Sequence, residues 1–176
     1  QLYDVNKTLT PNVQIIAGGA PAGAASATPV SPIADARFLH LEGLGIDGDG
    51  NVYVADVNNY QIRKINFQTN QVTVLATLSY SFAPPNSDSL PWVEMHEIRV
   101  DPYGNVFVPA PCCNFGFNSA SKIYRITPSG QISRIAGTGS SGLAEGKPLT
   151  VATFSSPRGI DFAPDGTLYI ADTSWG

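Results

Sequence analysis

The chain has 176 residues, a length that normally forms one domain with a sizeable core. Only 14% of its residues are charged, and its 17 Gly and 14 Pro indicate many short strands joined by tight turns. The net charge of -4 and the lack of a Lys/Arg cluster argue against nucleic acid as a partner. No apolar run approaches the ~20 residues that a membrane-spanning helix needs, so we predict no membrane span.

The N-terminal part of the chain predicts two short strands, at residues 2–5 and 13–17, followed by a surface loop. Apolar residues alternate in both strands, whereas residues 20–36 are rich in Ala, Ser, Thr and Pro. The chain begins at Gln1 rather than Met, which a removed leader would explain. The Asn-Lys-Thr triplet at Asn6 is an N-glycosylation sequon. We therefore expect a secreted, extracellular glycoprotein.

A repeated pattern of strands and turns follows. Residues 43–65 predict three strands, with a turn at Asp49-Gly50 because Gly accepts the positive φ that such a turn needs. A fourth strand is predicted at 72–76. The pattern restarts with strands at 98–100, 105–108, 122–126 and 132–136, and again with strands at 158–162 and 167–171. A four-stranded antiparallel unit repeated along a chain is typical of β-propeller blades.

Several stretches carry a resemblance to a known family. Residues 156–172 (Ser-Pro-Arg-Gly-Ile-Asp-Phe-Ala-Pro-Asp-Gly-Thr-Leu-Tyr-Ile-Ala-Asp), residues 49–56 (Asp-Gly-Asn-Val-Tyr-Val-Ala-Asp) and residues 61–65 (Gln-Ile-Arg-Lys-Ile) resemble the repeats of the NHL-repeat β-propeller family. Ile-Ala-Gly-Thr-Gly at 135–139 is similar to the inter-blade signature of that family. The middle repeat departs from the pattern, because Pro109-Ala110 stands where the other repeats have Ala-Asp. We expect its turn to be stabilised by other contacts.

Together these features predict an all-β fold, a β-propeller of four-stranded antiparallel blades in one domain, residues 1–176. One blade is expected over 38–76 and another over 92–137. The third is expected to be split between the chain ends. Residues 154–176 would supply its first and second strands, and residues 1–19 its third and fourth. Three blades are too few for a closed ring of roughly four to eight, and unpaired strand edges invite pairing with another chain.

We therefore predict a structural or interaction module that self-assembles when one chain completes the split blade of another. Residues 158–171 of one chain would pair with residues 2–17 of the next, in a dimeric ring or a filament. The apolar contacts would come from Val13, Ile15, Ile16, Ile160, Phe162, Leu168 and Ile170. Other extracellular proteins are further expected partners. A fragment of a larger NHL-containing ectodomain is an alternative reading of the same strand count.

A second alternative is a propeller enzyme, or a ligand- or metal-binding protein, with its site at the central channel. Glu42, His96 and Arg158 occupy equivalent places near the first strands of the three repeats. With Glu94 they would form a polar cluster at the channel mouth that binds a polar ligand or a cation. Because the equivalent residues differ in every repeat, we expect solvated rim residues or ion pairs instead. We predict no catalytic residue, no metal site and no cofactor.

Two further pairs of residues, one of cysteines and one of aspartates, carry structural predictions. Cys112 and Cys113 are adjacent, and free thiols, a vicinal disulfide and inter-chain bridges all remain open. Asp56 and Asp172 end the second strand of their repeats. We expect both carboxylates to accept backbone N–H bonds from the loop that follows, which is a structural role.

Overall fold

The computed structural model describes residues 16–18, 29–78, 95–111, 121–140, 142 and 151–173. Eleven β-strands and two short 3-10 turns make up the regular structure of this part, which contains no α-helix. The strands are β1 (Val30–Pro32), β2 (Leu41–Ile46), β3 (Val52–Asp56), β4 (Gln61–Asn66), β5 (Gln71–Thr77), β6 (Arg99–Val100), β7 (Val106–Ala110), β8 (Lys122–Ile126), β9 (Ile132–Ala136), β10 (Pro157–Phe162) and β11 (Leu168–Asp172). Within the described ranges, no helix is long and apolar enough to cross a membrane.

The strands form three sheets, and every pairing is antiparallel. The first sheet, in the order β1-β5-β4-β3-β2, is called blade 1 here. The second, β6-β7-β8-β9, is blade 2, and the two-stranded sheet β10-β11 is the half-blade. The antiparallel, four-stranded organisation predicted from the repeats is confirmed.

A glycine closes the first hairpin turn at the same place in each sheet. Gly50, Gly104 and Gly166 have φ angles of 79°, 78° and 86°. The N–H of each donates a hydrogen bond to the carbonyl oxygen three residues earlier in the chain. A positive φ is strained for residues with a Cβ, so glycine at these three positions explains why the turns were visible in the sequence.

The prediction of a surface loop across residues 20–36 is wrong at β1. This strand pairs with residues 71–73 of β5 and adds a fifth strand to the outer edge of blade 1. Proline is tolerated at a sheet edge because its missing N–H leaves no ladder bond unmade, and Pro32 ends β1 there. The strand is only three residues long, so no alternation of apolar residues announced it.

Two of the three clusters of buried side chains lie between sheets, and the third packs Val52, Val54 and Ile65 of blade 1 against Ile33 and Ala36, which precede β2. One cluster of buried side chains joins Tyr53 and Ile62 of blade 1 to Ile98 and Tyr124 of blade 2. Successive residues of a strand face opposite sides of its sheet. Because blade 2 is covered on both sides, all five residues of β7 are buried.

A second cluster joins blade 2 to the half-blade. Phe107 and Ile123 of blade 2 pack against Ile160 of β10. The rings of Phe107 and Phe162 meet edge to face, with centroids 4.9 Å apart and planes at 82°. This contact shows how the face of one sheet meets the inner strand of the next.

Residues 16–18 lie beside blade 1 in the way that the end of β9 lies beside the half-blade. A Cβ added to Gly18 would come within 3.1 Å of the Phe38 ring, and one added to Gly137 within 3.0 Å of the Phe154 ring. Both glycines have positive φ, at 84° and 87°. Residues 16–18 therefore stand where the last strand of a preceding blade would end.

The structure assigns no strand to Ile16, which belongs to the predicted strand 13–17 and is 54% exposed. Other predictions fall on residues outside the described ranges. These are the strand at 2–5, the rest of the strand at 13–17 including Val13 and Ile15, the sequon at Asn6, the rim residue Glu94, and Cys112 with Cys113.

Candidate functional site

Because the blades stack face to face, the stack has two end faces. The leading face belongs to blade 1 and includes Leu44 and Ile46 of β2. The trailing face belongs to the half-blade and includes Asp161, Tyr169 and Ala171. Residues that pair across two strands lie on the same side of a sheet. Asp161 pairs with Tyr169 on the trailing face, and Leu44 and Ile46 pair with two valines of β3 on the leading face.

The trailing face has the character of an inter-blade face, yet it is open. Tyr169 is 63% exposed. Tyr53 and Phe107, which occupy the same position in blades 1 and 2, are 2% and 9% exposed because the next sheet covers them. Ala171 is likewise exposed, whereas its equivalent Ala55 is completely buried.

The leading face shows the same contrast. Leu44 is 52% exposed, whereas its equivalents Ile98 and Ile160 are 0% and 3% exposed. Ile46 is also exposed, although its equivalent Phe162 packs against Phe107 of the preceding sheet. On the leading face the exposed apolar side chains are those of β2, whereas Val52 and Val54 of β3 are 6% and 3% exposed because they pack with Ile33 and Ala36 of the same chain.

A shallow depression of about 340 Å³ marks the trailing face. Its lining residues are Glu97, Arg99, Gly159, Ile160, Asp161, Tyr169, Ile170 and Ala171. Arg99 Nη2 lies 2.6 Å from Glu97 Oε1, and Arg99 Nε lies 3.2 Å from Asp161 Oδ1. The charges at its edge are therefore paired with each other. Glu97 and Arg99 were not predicted as site residues from the sequence. A signal was present for Glu97, because it stands where the other repeats have a glycine, Gly43 and Gly159.

Two carboxylates, Glu42 in β2 and Glu97 just before β6, tie neighbouring sheets together. Glu42 Oε2 accepts a hydrogen bond from the Met95 N–H, which joins blade 1 to blade 2. Glu97 Oε2 accepts one from the Ile160 N–H at 3.2 Å, which joins blade 2 to the half-blade. The other oxygen of Glu42, Oε1, lies 3.3 Å from His40 Nε2. Glu42 thus has a structural role in this arrangement.

The predicted rim residues occupy different settings. Glu42 bridges two sheets, His96 is exposed just before β6, and Arg158 is half-buried in β10. Both His96 and Arg158 make contacts with other groups of the protein. Among the described residues, no group of three His, Cys, Asp or Glu side chains is arranged to hold a metal ion. A shared ligand site at the rim stays a prediction.

The four predicted assembly residues of the half-blade face into the chain itself. Ile160, Phe162, Leu168 and Ile170 belong to the cluster that packs against blade 2. They alternate along β10 and β11 with the trailing-face residues. The two sets of side chains therefore lie on opposite sides of the same sheet. The surface that is open to a further blade is the trailing face instead.

Asp56 lies at the centre of a buried polar site in blade 1, called the socket here, which is formed with Leu39, Asn59, Arg63 and Phe38. It is completely buried, and its carboxylate accepts hydrogen bonds from Leu39 N at 3.0 Å and from Asn59 Nδ2 at 2.9 Å. Arg63 Nη1 lies 3.3 Å from Asp56 Oδ2, and the guanidinium carbon lies 4.6 Å from the centroid of the Phe38 ring. The backbone donor precedes the first strand, which corrects the expectation that it comes from the following loop.

Asp172 repeats the first part of this socket in the half-blade. Its carboxylate accepts hydrogen bonds from Ser155 N, at 3.1 and 2.9 Å, and from Ser156 N at 2.7 Å. The donors again precede the first strand, as Leu39 does in blade 1. Unlike Asp56, Asp172 is only partly buried.

Blade 2 lacks both members of the buried ion pair. Ala110 stands in place of the aspartate, and the strand register puts Tyr124 where blade 1 has Arg63. Tyr124 is completely buried. Next to this site, Ser121 Oγ donates a hydrogen bond to the Ser155 carbonyl oxygen at 2.9 Å. The middle repeat is thus stabilised without a carboxylate at this position.

A second depression, of about 240 Å³, lies between the turns of blades 1 and 2. Asp47 accepts hydrogen bonds there from Asn51 Nδ2 at 2.7 Å and from Tyr53 OH at 3.1 Å. Burial alone raises the pKa of Asp47, but hydrogen bonds from Asn51, Tyr53 and Asp49 outweigh it, and the pKa falls below its ordinary value. Burial and the Asp47 charge raise the pKa of Tyr53, which keeps its hydroxyl as a donor. These groups stabilise the turn rather than face a ligand.

No family model matches the sequence. The chain is 32% identical over 141 residues to peptidyl-glycine alpha-amidating monooxygenase A of Xenopus laevis, a match that covers 79% of this chain and 14% of that protein. It is 33% identical, again over 141 residues, to peptidyl-glycine alpha-amidating monooxygenase of Mus musculus, with 79% and 13% covered. The aligned part is therefore a small fraction of the length of these curated relatives.

Among solved structures, the chain is similar to a protein of unknown function from Bacteroides thetaiotaomicron, with a TM-score of 0.52 and 21% identity. The match covers 75% of this chain and 30% of that one. At this identity the likeness shows the fold alone. The structural neighbours are β-propeller proteins, and the chain has the same all-β architecture of stacked antiparallel blades.

Proposed function

We propose that the chain is a structural and interaction module that assembles with other copies of itself into a larger propeller. The observation that supports this best is the exposure of Tyr169, which is 63%, against 2% for Tyr53 and 9% for Phe107. Burying a large apolar side chain stabilises an assembly by roughly 1.5–3 kcal/mol. Covering the trailing face is therefore favourable.

The leading face of a second copy fits as the occupant. Inside the chain, Phe107 meets Phe162 of the next sheet edge to face. Tyr169 is equivalent to Phe107, and Ile46 is equivalent to Phe162. Stacking one copy on another by the same rule brings Tyr169 of one chain against Ile46 of the next, which buries exposed apolar groups of both.

Each copy has one leading and one trailing face, so the contact between copies is heterologous. Such contacts close into a ring or continue as a filament, depending on the rotation per copy. Two copies with three blades each give six blades, which lies within the roughly four to eight blades of known propellers. The outer edge of β11 has no partner strand among the described residues, so this edge is open to strand addition from another chain.

We also propose that this module works outside the cell. The support is the sequon at Asn6. Expression of the chain behind a secretion signal in a eukaryotic cell tests the idea. Secreted protein whose mass falls after enzymatic removal of N-linked glycan supports it, and retention inside the cell without glycan contradicts it.

Cross-linking tests the face-to-face contact directly. Two variants, Tyr169→Cys and Ile46→Cys, are made in a background where Cys112 and Cys113 are replaced by Ser, and they are mixed with a short bis-maleimide. We expect a covalent dimer that contains one copy of each variant. Tyr103→Cys is the matched control, since Tyr103 is a fully accessible turn tyrosine, 83% exposed, away from both faces. Equal yields for the control and test pairs would contradict the proposal.

A second candidate is a ligand-binding or catalytic site at the channel. The similarity to the two amidating monooxygenases supports it, together with the charged residues Glu42, Glu97 and Arg99. Incubation with a peptide that ends in glycine, with dioxygen and a two-electron donor supplied, tests by mass spectrometry for the amidated peptide and the glyoxylate that leaves with it, because a monooxygenase reaction consumes both reagents. If the product forms, His96→Ala is expected to abolish it while assembly is unchanged. Absence of any product from the assembled protein would argue against this candidate.

A further inference from the structure

The buried ion pair of blade 1 depends on the third strand of that blade. Arg63 in β4 lies opposite Val54 of β3, and its side chain reaches Asp56 at the end of β3. The guanidinium also lies over the ring of Phe38, 4.6 Å from its centroid. The arginine thus fills the space between the carboxylate and the ring, and both members of the pair are buried.

The half-blade carries the same carboxylate and the same ring, without a third strand among the described residues. Asp172 is equivalent to Asp56, Phe154 to Phe38, and Ile170 to Val54. Backbone N–H groups of Ser155 and Ser156 make three hydrogen bonds to the two oxygens of Asp172, whereas Asp56 accepts one backbone N–H, from Leu39. A carboxylate has about four acceptor sites, so this one retains capacity for a further charged donor.

In blade 2 the carboxylate and the arginine are both absent. Where the aspartate is replaced by Ala110, the facing third-strand residue is Tyr124 rather than an arginine. Burying a carboxylate without a cation is costly, and so is burying an arginine without a carboxylate. The residue that ends the second strand therefore indicates which residue the third strand carries.

We propose that the strand that completes the half-blade carries an arginine opposite Ile170, which pairs with Asp172 and stacks on Phe154. This inference rests on the proposed function, in that β11 accepts a strand at its open edge. Main-chain hydrogen bonds to β11 supply general affinity, and the Asp172 carboxylate selects the strand by charge. Residues 1–6 contain no Arg or Lys, so the preferred occupant is another arginine-bearing strand rather than residues 2–5.

The sequence of β4 is the natural probe. A fluorescent peptide of residues 59–66 (Asn-Tyr-Gln-Ile-Arg-Lys-Ile-Asn) is titrated with the whole chain, and its anisotropy is measured. The β4 register aligns its arginine with Ile170. We expect Arg63→Met in the peptide to weaken binding about tenfold or more, because a charge-assisted hydrogen bond to the Asp172 carboxylate is lost.

Lys64→Met in the peptide is the matched control, since it removes the same charge from the opposite face of the strand. We expect less than about a threefold loss for this control, which is the effect of an exposed charge. Equal losses of affinity for the Arg63→Met and Lys64→Met peptides would overturn the inference. So would a peptide of residues 1–18 that binds more tightly than the β4 peptide. In both cases strand addition at β11 would still stand. If none of the peptides binds, strand addition at β11 itself fails.

Discussion

Replacing Arg63 by methionine tests whether the ion pair inside blade 1 holds the structure together. Arg63 and Asp56 are 1% and 0% exposed, so neither charge is solvated. Methionine keeps much of the apolar stem but removes the bonds to Asp56 and to the Arg37 carbonyl oxygen, and the contact with Phe38. Breaking one partner of a buried pair costs about 3–5 kcal/mol. Asp56 keeps two neutral donors in the variant, and Arg63 Nη1 lies 3.3 Å from Asp56 Oδ2 in the native chain. We therefore expect the free energy of unfolding to fall by about 3 kcal/mol, at the lower end of this range.

Urea unfolding followed by circular dichroism measures this loss. Blade 2 supplies the compensating change, since Ala110 and Tyr124 stand there in place of the pair. We expect the double variant Asp56→Ala/Arg63→Tyr to be more stable than the sum of its two single variants predicts, by at least ~1 kcal/mol. Arg125→Met is the matched control, because Arg125 is exposed on β8, and its effect should stay within about 0.5 kcal/mol. A loss below about 1 kcal/mol for Arg63→Met, or strict additivity, would refute the reasoning.

Two further predictions concern the packing of blade 1 and its turn. A Cβ at Gly43 would lie 2.5 Å from the Met95 carbonyl oxygen, so Gly43→Ala should destabilise the protein by about 1–3 kcal/mol in thermal unfolding. Gly48→Ala meets no atom within 4 Å and should cost far less; equal losses would contradict the close approach of the blades. The lowered pKa of Asp47 means that its ionised form stabilises the fold above its ordinary pKa of 3.8, and that this contribution disappears as pH falls through the folded-state pKa. The stability difference between the native chain and Asp47→Asn should therefore be constant near neutral pH and shrink below about pH 4, and a difference that grows on acidification would be inconsistent with this.

The repeats made most of the fold predictable. Each hairpin turn has a glycine that the positive φ requires, as at Gly50, and the flanking strands alternate visibly. β1 was missed because three residues show no periodicity, and because its pairing with β5 is a long-range contact. Local sequence patterns do not predict pairing between strands that are far apart in the chain.

The candidate site was predictable only in part. The open edge of the split blade followed from the count of strands, whereas the open trailing face did not. Tyr169 and Ile170 are neighbours in the chain, but they face opposite sides, and only the packing of β10 and β11 on blade 2 decides which side remains exposed. The bridging role of Glu42 was likewise hidden, because its partner is a backbone N–H of another blade.

Sedimentation equilibrium of the purified chain at micromolar concentration tests the central claim, that its exposed end faces join copies into a larger propeller. We predict a mass that is a multiple of the 18.6 kDa of one chain, with twice that mass for a closed ring of two copies. Tyr169→Arg should return the protein to 18.6 kDa, whereas Tyr103→Arg, at the exposed turn, should leave the assembly intact. A native chain that remains at 18.6 kDa over the whole concentration range would contradict the account.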